Sequence, residues 1–186
     1  MAWSPPLTAV VNAILNASQW NASVRDNLLE TASAKASTPA TNQGKFFVST
    51  GTNTLAERLI FGNTIATSQT LGTAGSYLDL GTVGPSVIVT TGIHALVFLS
   101  ASMANSALNA DNFVSFAVSV GTTIAAVDAT AIRTEQYAAG AGLLNRGSST
   151  SLIGSLNAAA NTFTAKYKVS AITGTYVDRH IVVMGL

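Results

Sequence analysis

The stretch Thr162–Ser170, TFTAKYKVS, constrains the fold most strongly. Phe163, Ala165, Tyr167 and Val169 alternate in it with Thr164, Lys166, Lys168 and Ser170. A period of two gives a β-strand one buried face and one wet face, and it does not fit a helix. Short runs of similar kind recur upstream: SYLDLG, PSVIVTTG, IHALVFLSASM, NFVSFAVSV, TAIRTEQYA and SLIGSL, with TYVDRHIVVMGL after it. Gly, Asn, Ser and Pro separate them, as turns require. In Asn112–Val120 the larger residues Val114, Phe116, Val118 and Val120 alternate with Ser115, Ala117 and Ser119. His94–Met103 is apolar at both parities, which predicts a central strand covered on both faces. About eight short strands predict a mainly β, antiparallel sandwich of jelly-roll kind over residues 76–186. The last strand runs to Leu186 and is expected to be tied into the sheet.

Residues 1–34 read differently. Pro5 and Pro6 forbid an early helix, and Thr8 is suited to cap one. Ala13, Ala17, Trp20, Val24, Leu28 and Thr31 follow helical spacing along one narrow stripe, with Arg25, Asp26 and Glu30 beside it. A helix this short is marginal alone, so the stripe needs a partner surface. Trp20, Val24, Arg25, Asp26 and Leu28 are therefore the candidate assembly residues. Residues 35–75, rich in small polar residues, predict an extended arm with strand-like pieces at Phe46–Val48 and Leu55–Phe61. Glu57 and Arg58 predict a local solvated pair.

Composition decides between ways of using such a chain. Only 9% of residues are charged, against about a quarter in ordinary soluble domains, while 48% are hydrophobic. The best apolar run, Ile93–Met103, is much shorter than the ~20 residues that a membrane-spanning helix needs. The opening MAWSPPLTA has neither the basic start nor the apolar run of a secretory signal, so the Asn-Ala-Ser sequons at Asn16 and Asn21 are expected to be idle. There is no Cys, which excludes disulfides and thiol chemistry, and a formal net charge of +1 gives no electrostatic case for nucleic acid. Burial against other protein copies remains.

Catalytic signatures are sparse. The two histidines, His94 and His180, form no metal-ligand cluster with the scattered acids. His94 is expected to be a satisfied core or interface residue. In VDRHIVV, simple alternation puts Asp178 and His180 on one face with Arg179 opposite, an arrangement that also orients a general base. A structural hydrogen bond explains it more economically, since serines are abundant. No paired-carboxylate, Walker-A or GxGxxG pattern is present, and the glycines of AAGAGLL read as a turn. No cofactor is implied and no enzyme is expected. Phe46, Phe47, Phe61, Phe98, Phe113, Phe116 and Phe163 all sit in apolar strand patterns and are expected in the core.

The segment AVVNAILNASQWNASVRDNLLETASAKA resembles an opening found in virion proteins of tailed bacteriophages, especially those of actinobacteria. Trp20, Asn21, Val24, Arg25, Asp26, Asn27 and Leu28 carry the match, followed by FVSTGTNTLAER at Phe47–Arg58. VGPSVIVTTGIHALVFLSASM and NTFTAKYKVSAITGTYVDRHIVV are similar to the β-rich remainder of such proteins, so the resemblance spans most of the chain. It implies a structural virion protein: a capsid decoration or head-fibre subunit, or a minor tail or tail-fibre protein. The expectation is a homotrimer with a jelly-roll or tumour-necrosis-factor-like knob. Residues 1–34 would hold it to the major capsid protein or to other virion proteins, at the capsid surface in preference to the tail. Recognition of a host glycan is the alternative role, and polysaccharide cleavage a more distant one.

Overall fold

A computed structural model describes Ile14, residues 16–20, 45–51, 54–136 and 143–186. Among these residues the chain is mainly β and antiparallel, with helix restricted to α1 (Ala17–Trp20) and one 3-10 turn at Asp128–Thr130. The remainder of the expected N-terminal helix lies outside the described residues. The chain divides into two compact units, Met1–Arg58 and Leu59–Leu186.

The first unit holds α1, β1 (Lys45–Gly51) and the start of β2 (Thr54–Ile65), the neighbour of β1. The strand-like pieces expected at Phe46–Val48 and Leu55–Phe61 fall on these two strands. Glu57 pairs with Lys45 at 2.5 Å, whereas Arg58 donates to the Glu57 backbone carbonyl. The expected pair of neighbours is thus replaced by a cross-hairpin one. Adjacent residues on a strand point to opposite faces, and residues across a hairpin share one.

The second unit is organised by one strand. β9 (Ala160–Gly185) has 26 residues and absorbs the two separate strands expected at Thr162 and Thr175. One of its edges pairs with β6 (Asp111–Val120) and then with β5 (Ala95–Asn105). The other edge pairs with β4 (Ser86–Thr90), β3 (Gln69–Leu78) and finally residues 60–65 of β2. β7 (Ile132–Glu135) extends the sheet beyond β6, and β8 (Asn145–Ile153) extends it beyond β5.

The alternation of β9 changes phase twice. Asn161, Phe163, Ala165, Tyr167 and Val169 are buried at odd positions, as the opening pattern predicts; Gly174 and Tyr176 are buried at even ones; Arg179, Ile181 and Val183 return to odd. The first change spans 170–173, where Ile172 has φ 55°. The second is a β-bulge, since Val177 pairs with Ser102 and His180 with Ser100, so Asp178 and Arg179 together face only Ala101. Asp178, at φ 48°, takes the left-handed conformation that such a bulge requires. Gly174 marks the bend: a Cβ there would lie 2.3 Å from Asn112 Oδ1 and 2.7 Å from a Val169 methyl.

The bend curls the sheet so that both halves of β9 line one core. Tyr167 and Tyr176 meet edge to face across it, with ring centroids 4.9 Å apart. Val97, Leu99, Met103, Val114, Phe116, Val118 and Phe163 complete that core. Each buried tyrosine hydroxyl is satisfied, Tyr167 donating to Gly84 O at 2.7 Å and Tyr176 to Lys168 O at 2.8 Å. At the far end Leu186 donates its N–H to His94 O and its carbonyl accepts from Gly92 N–H, so the last residue is tied in as expected.

Several expectations are corrected. β5 is central in its pairing and is buried at both parities over Ala101–Asn105, but its first half is covered on one face only: Val97 and Leu99 are buried, while Phe98 is 38% exposed. Phe116 and Phe163 are core residues, but Phe47 and Phe61 are exposed like Phe98. Val120 leaves the inward phase of β6 at φ 76° and is exposed. His94 lies exposed just before β5 and is not a core residue.

Candidate functional site

Of the residues picked out as an assembly stripe, Trp20 closes α1, and Val24, Arg25, Asp26 and Leu28 lie outside the described residues.

Arg179 lies opposite His180, as alternation predicts, and His180 makes a structural hydrogen bond, to Thr64 and not to Asp178. Arg179 points inward at 1% exposure, and His180 Nδ1 lies 2.8 Å from Thr64 Oγ1 on the neighbouring strand. Arg179 donates to Thr67 O at 3.2 Å and to Gly84 O at 3.3 Å, and its guanidinium stands 5.5 Å from the Tyr167 ring centre. A buried cation held by carbonyls and a π-face clamps the two loops that carry them. Its Nε has no hydrogen-bond partner among the described residues. Burial raises the Tyr167 hydroxyl to about 12, although the nearby Arg179 charge pulls the other way. Among the described residues no group of three or more His, Asp or Glu side chains could hold a metal ion. No helix among them is long and apolar enough to cross a membrane.

The outward side of the first half of β9 carries Thr162, Thr164, Lys166, Lys168 and Ser170. Both lysines are fixed. Lys166 donates to both oxygens of Asp79 at 2.7 Å. Lys168 binds Asp128 and stands 4.2 Å from the centre of the Phe113 ring. Tyr77 donates to the same Asp128 oxygen at 2.9 Å. The hydrogen bond from Lys168, then that from Tyr77, holds the Asp128 carboxyl below its usual range. Burial first, and then the bond to Asp128, pushes the Tyr77 hydroxyl well up. On the adjoining pair β6–β7, Arg133 grips Asp111 through Nε and Nη2 at 2.8 and 3.0 Å. This face is charged and internally paired.

The outward side of the second half is a different surface. Register places Ile60, Met184, Leu96 and Leu152 in one row across β2, β9, β5 and β8. The next row is Gly62, Val182, Phe98 and Thr150, and the third is Thr64, His180, Ser100 and Ser148. Ile60 is 48% exposed and Leu152 64%. The three rows contain no acid, lysine or arginine. Beyond them on this side, a depression of about 420 Å³ opens among Ala104, Ser106, Thr175, Val177 and Leu144. It holds no titratable side chain.

The apolar rows were missed as a site because LVFLS and HIVVM read as continuous core. The only sequence signal was that both parities are apolar while the total charge is low. Compared with protein-family models and with curated proteins, the chain matches none.

Proposed function

We propose that this chain is a non-enzymatic structural subunit of a tailed-bacteriophage virion, a capsid decoration or head-fibre protein working as a trimer. The observation that carries this reading is an antiparallel β unit whose charged face is already paired and whose other face is neutral and apolar. Such a surface suits burial against protein. The curled sheet is taken as a jelly-roll knob of tumour-necrosis-factor type. Residues 1–34 are taken as the attachment to the major capsid protein, through Trp20, Val24, Arg25, Asp26 and Leu28. The resemblance at Trp20–Leu28 and Phe47–Arg58 supports the virion assignment.

Co-purification with particles tests it. The double variant Trp20→Ala, Leu28→Ala is expected to fold but to be missing from virions, and normal incorporation would refute the anchor. Labelled protein imaged on whole particles should decorate the head in many copies. Labelling of the tail in few copies would favour the second reading, a tail-fibre protein for a host glycan. The Tyr77 and Phe113 rings beside Lys168 favour that reading, since aromatic and ionic groups together suit sugars.

A further inference from the structure

The first half of β5 has an inner face buried in the core and an outer face, Leu96 and Phe98, that stays partly open among the described residues of the second unit. Six side chains from four strands form one patch: Ile60, Leu96, Phe98, Leu152, Val182 and Met184. We infer that this face is where copies of the chain pack on one another, sheet against sheet. The inference rests on the proposed assembly only for the premise that copies associate; a face that packs on itself joins copies in pairs about a two-fold axis, so this contact is distinct from the three-fold one of the proposed trimer.

The chemistry of the patch selects that occupant. A nucleic acid needs cations, and the three rows have no lysine or arginine. A membrane-binding face is normally rimmed by basic residues. Here the described residues offer two basic side chains on the same face, one at each end: Arg146, one row beyond Ser148 and paired in register with Ser102, and Arg58, two residues before Ile60 on β2. A small ligand needs a concavity, and these rows are a pleated surface. A second copy offers the same neutral, pleated, aliphatic surface, and two such faces interdigitate at a spacing of about 10 Å. With strands ~4.8 Å apart and a rise of ~3.3 Å per residue, the face measures roughly 20 Å by 20 Å. Upright side chains raise its accessible area, so a pair of copies removes on the order of 1,000 Å² from water, the floor for a specific interface. The bulge at Asp178 supports the same conclusion. It returns Ile181 and Val183 to the core and so turns Val182 and Met184 outward, where they would otherwise serve no purpose.

The full chain, without other virion proteins, is the test sample. Light scattering across a concentration series should show a multiple of the 19.0 kDa chain mass. Val182→Lys should weaken association at least tenfold, while Thr164→Lys, on the charged half, should leave it unchanged. Unchanged circular dichroism and melting would show that Val182→Lys still folds; if it does not, Leu152→Ser serves instead. The chain has no cysteine, so a single thiol reports cover directly. Leu152→Cys should react slowly with a maleimide, and more slowly as protein concentration rises. Ile88→Cys, 65% exposed on the other half, should react fast throughout. A monomer at all concentrations would overturn the inference, as would an oligomer indifferent to Val182→Lys. Concentration-independent protection of Leu152→Cys would assign the face to a segment of the same chain, and protection only with neutral phospholipid vesicles would assign it to lipid. Either outcome refutes association of copies here. Because incorporation into particles is scored separately, loss of the virion role and loss of this interface give different results.

Discussion

Strand β9 meets the same core twice and solvent in two different ways. Over residues 161–169 it buries Phe163, Ala165, Tyr167 and Val169 and turns threonines and lysines outward. Over residues 179–185 it buries Arg179, Ile181 and Val183 and turns Val182 and Met184 outward. Strand formation and core packing require only the inner pattern, so the outer pattern is free to differ. Where the outside is wet, Lys166 and Lys168 are each matched by an acid from a neighbouring element. Where it is apolar, no charge is placed at all. The difference separates what folding demands from what assembly demands.

The sharpest way to break this comparison is on the inner side, where the halves should behave alike. Phe163→Ala should cost about 3–5 kcal/mol and Ile181→Ala about 2–5 kcal/mol, read by chemical denaturation. A small effect in the second half would mean that its inner face is not core. Next comes the bend between them. Gly174→Ala forces a methyl against Asn112 and Val169 and should cost about 1–3 kcal/mol.

Alkaline pH tests the tyrosine junction. In the folded chain Tyr167 is raised to about 12 from 10.0, and Tyr176 is also raised by burial. A raised acid holds its proton more tightly when folded, so its stabilisation is complete below the ordinary value near 10.0 and falls as pH climbs towards 12. Melting temperature should therefore drop across that window, and Tyr167→Phe should blunt the drop. Ultraviolet titration of tyrosinate would check the assignment. At the low-pH end, Asp128 is held down, so its contribution exists above the usual carboxylate range and disappears as pH falls through the lowered value. Asp128 is largely exposed, so Asp128→Asn should change melting only slightly.

The smallest expected effects are those on the outer faces. Thr164→Val and Val182→Thr should each alter the stability of the dissociated chain by no more than about 0.5 kcal/mol. They should differ in what they do to association. Equal effects on both properties would erase the distinction between the halves.

Much of the fold could be read from the chain before its structure. Alternation located the buried side of Thr162–Ser170 because residue type changes there with every step. It also set Arg179 opposite His180, as found, but it could not show the bulge at Asp178, because a bulge is a backbone event and nothing in VDRHIVV marks one residue as carrying φ 48°. The phase changes at 170–173 and at Asp178 cancel, so Arg179, Ile181 and Val183 point inward in the same odd phase as Thr162–Ser170, and the structural hydrogen bond of His180 goes to Thr64 and not to Asp178. It also failed at Ser170–Gly174, where a turn was expected and the strand bends without ending. The outer apolar rows were invisible for a third reason. They arise from four strands far apart in sequence, and register is set by the whole sheet.

The length and position of β9 also carry a kinetic consequence. β2, β3, β4, β5 and β6 all hydrogen-bond to a strand that follows them in the chain, and Thr64 meets His180 across 116 residues. Pairings of such separation close large loops before any reward arrives, and they belong to domains that fold in milliseconds to seconds, not microseconds. Until β9 docks, these strands would wait with open edges, which makes its arrival the step at which the chain either folds or aggregates.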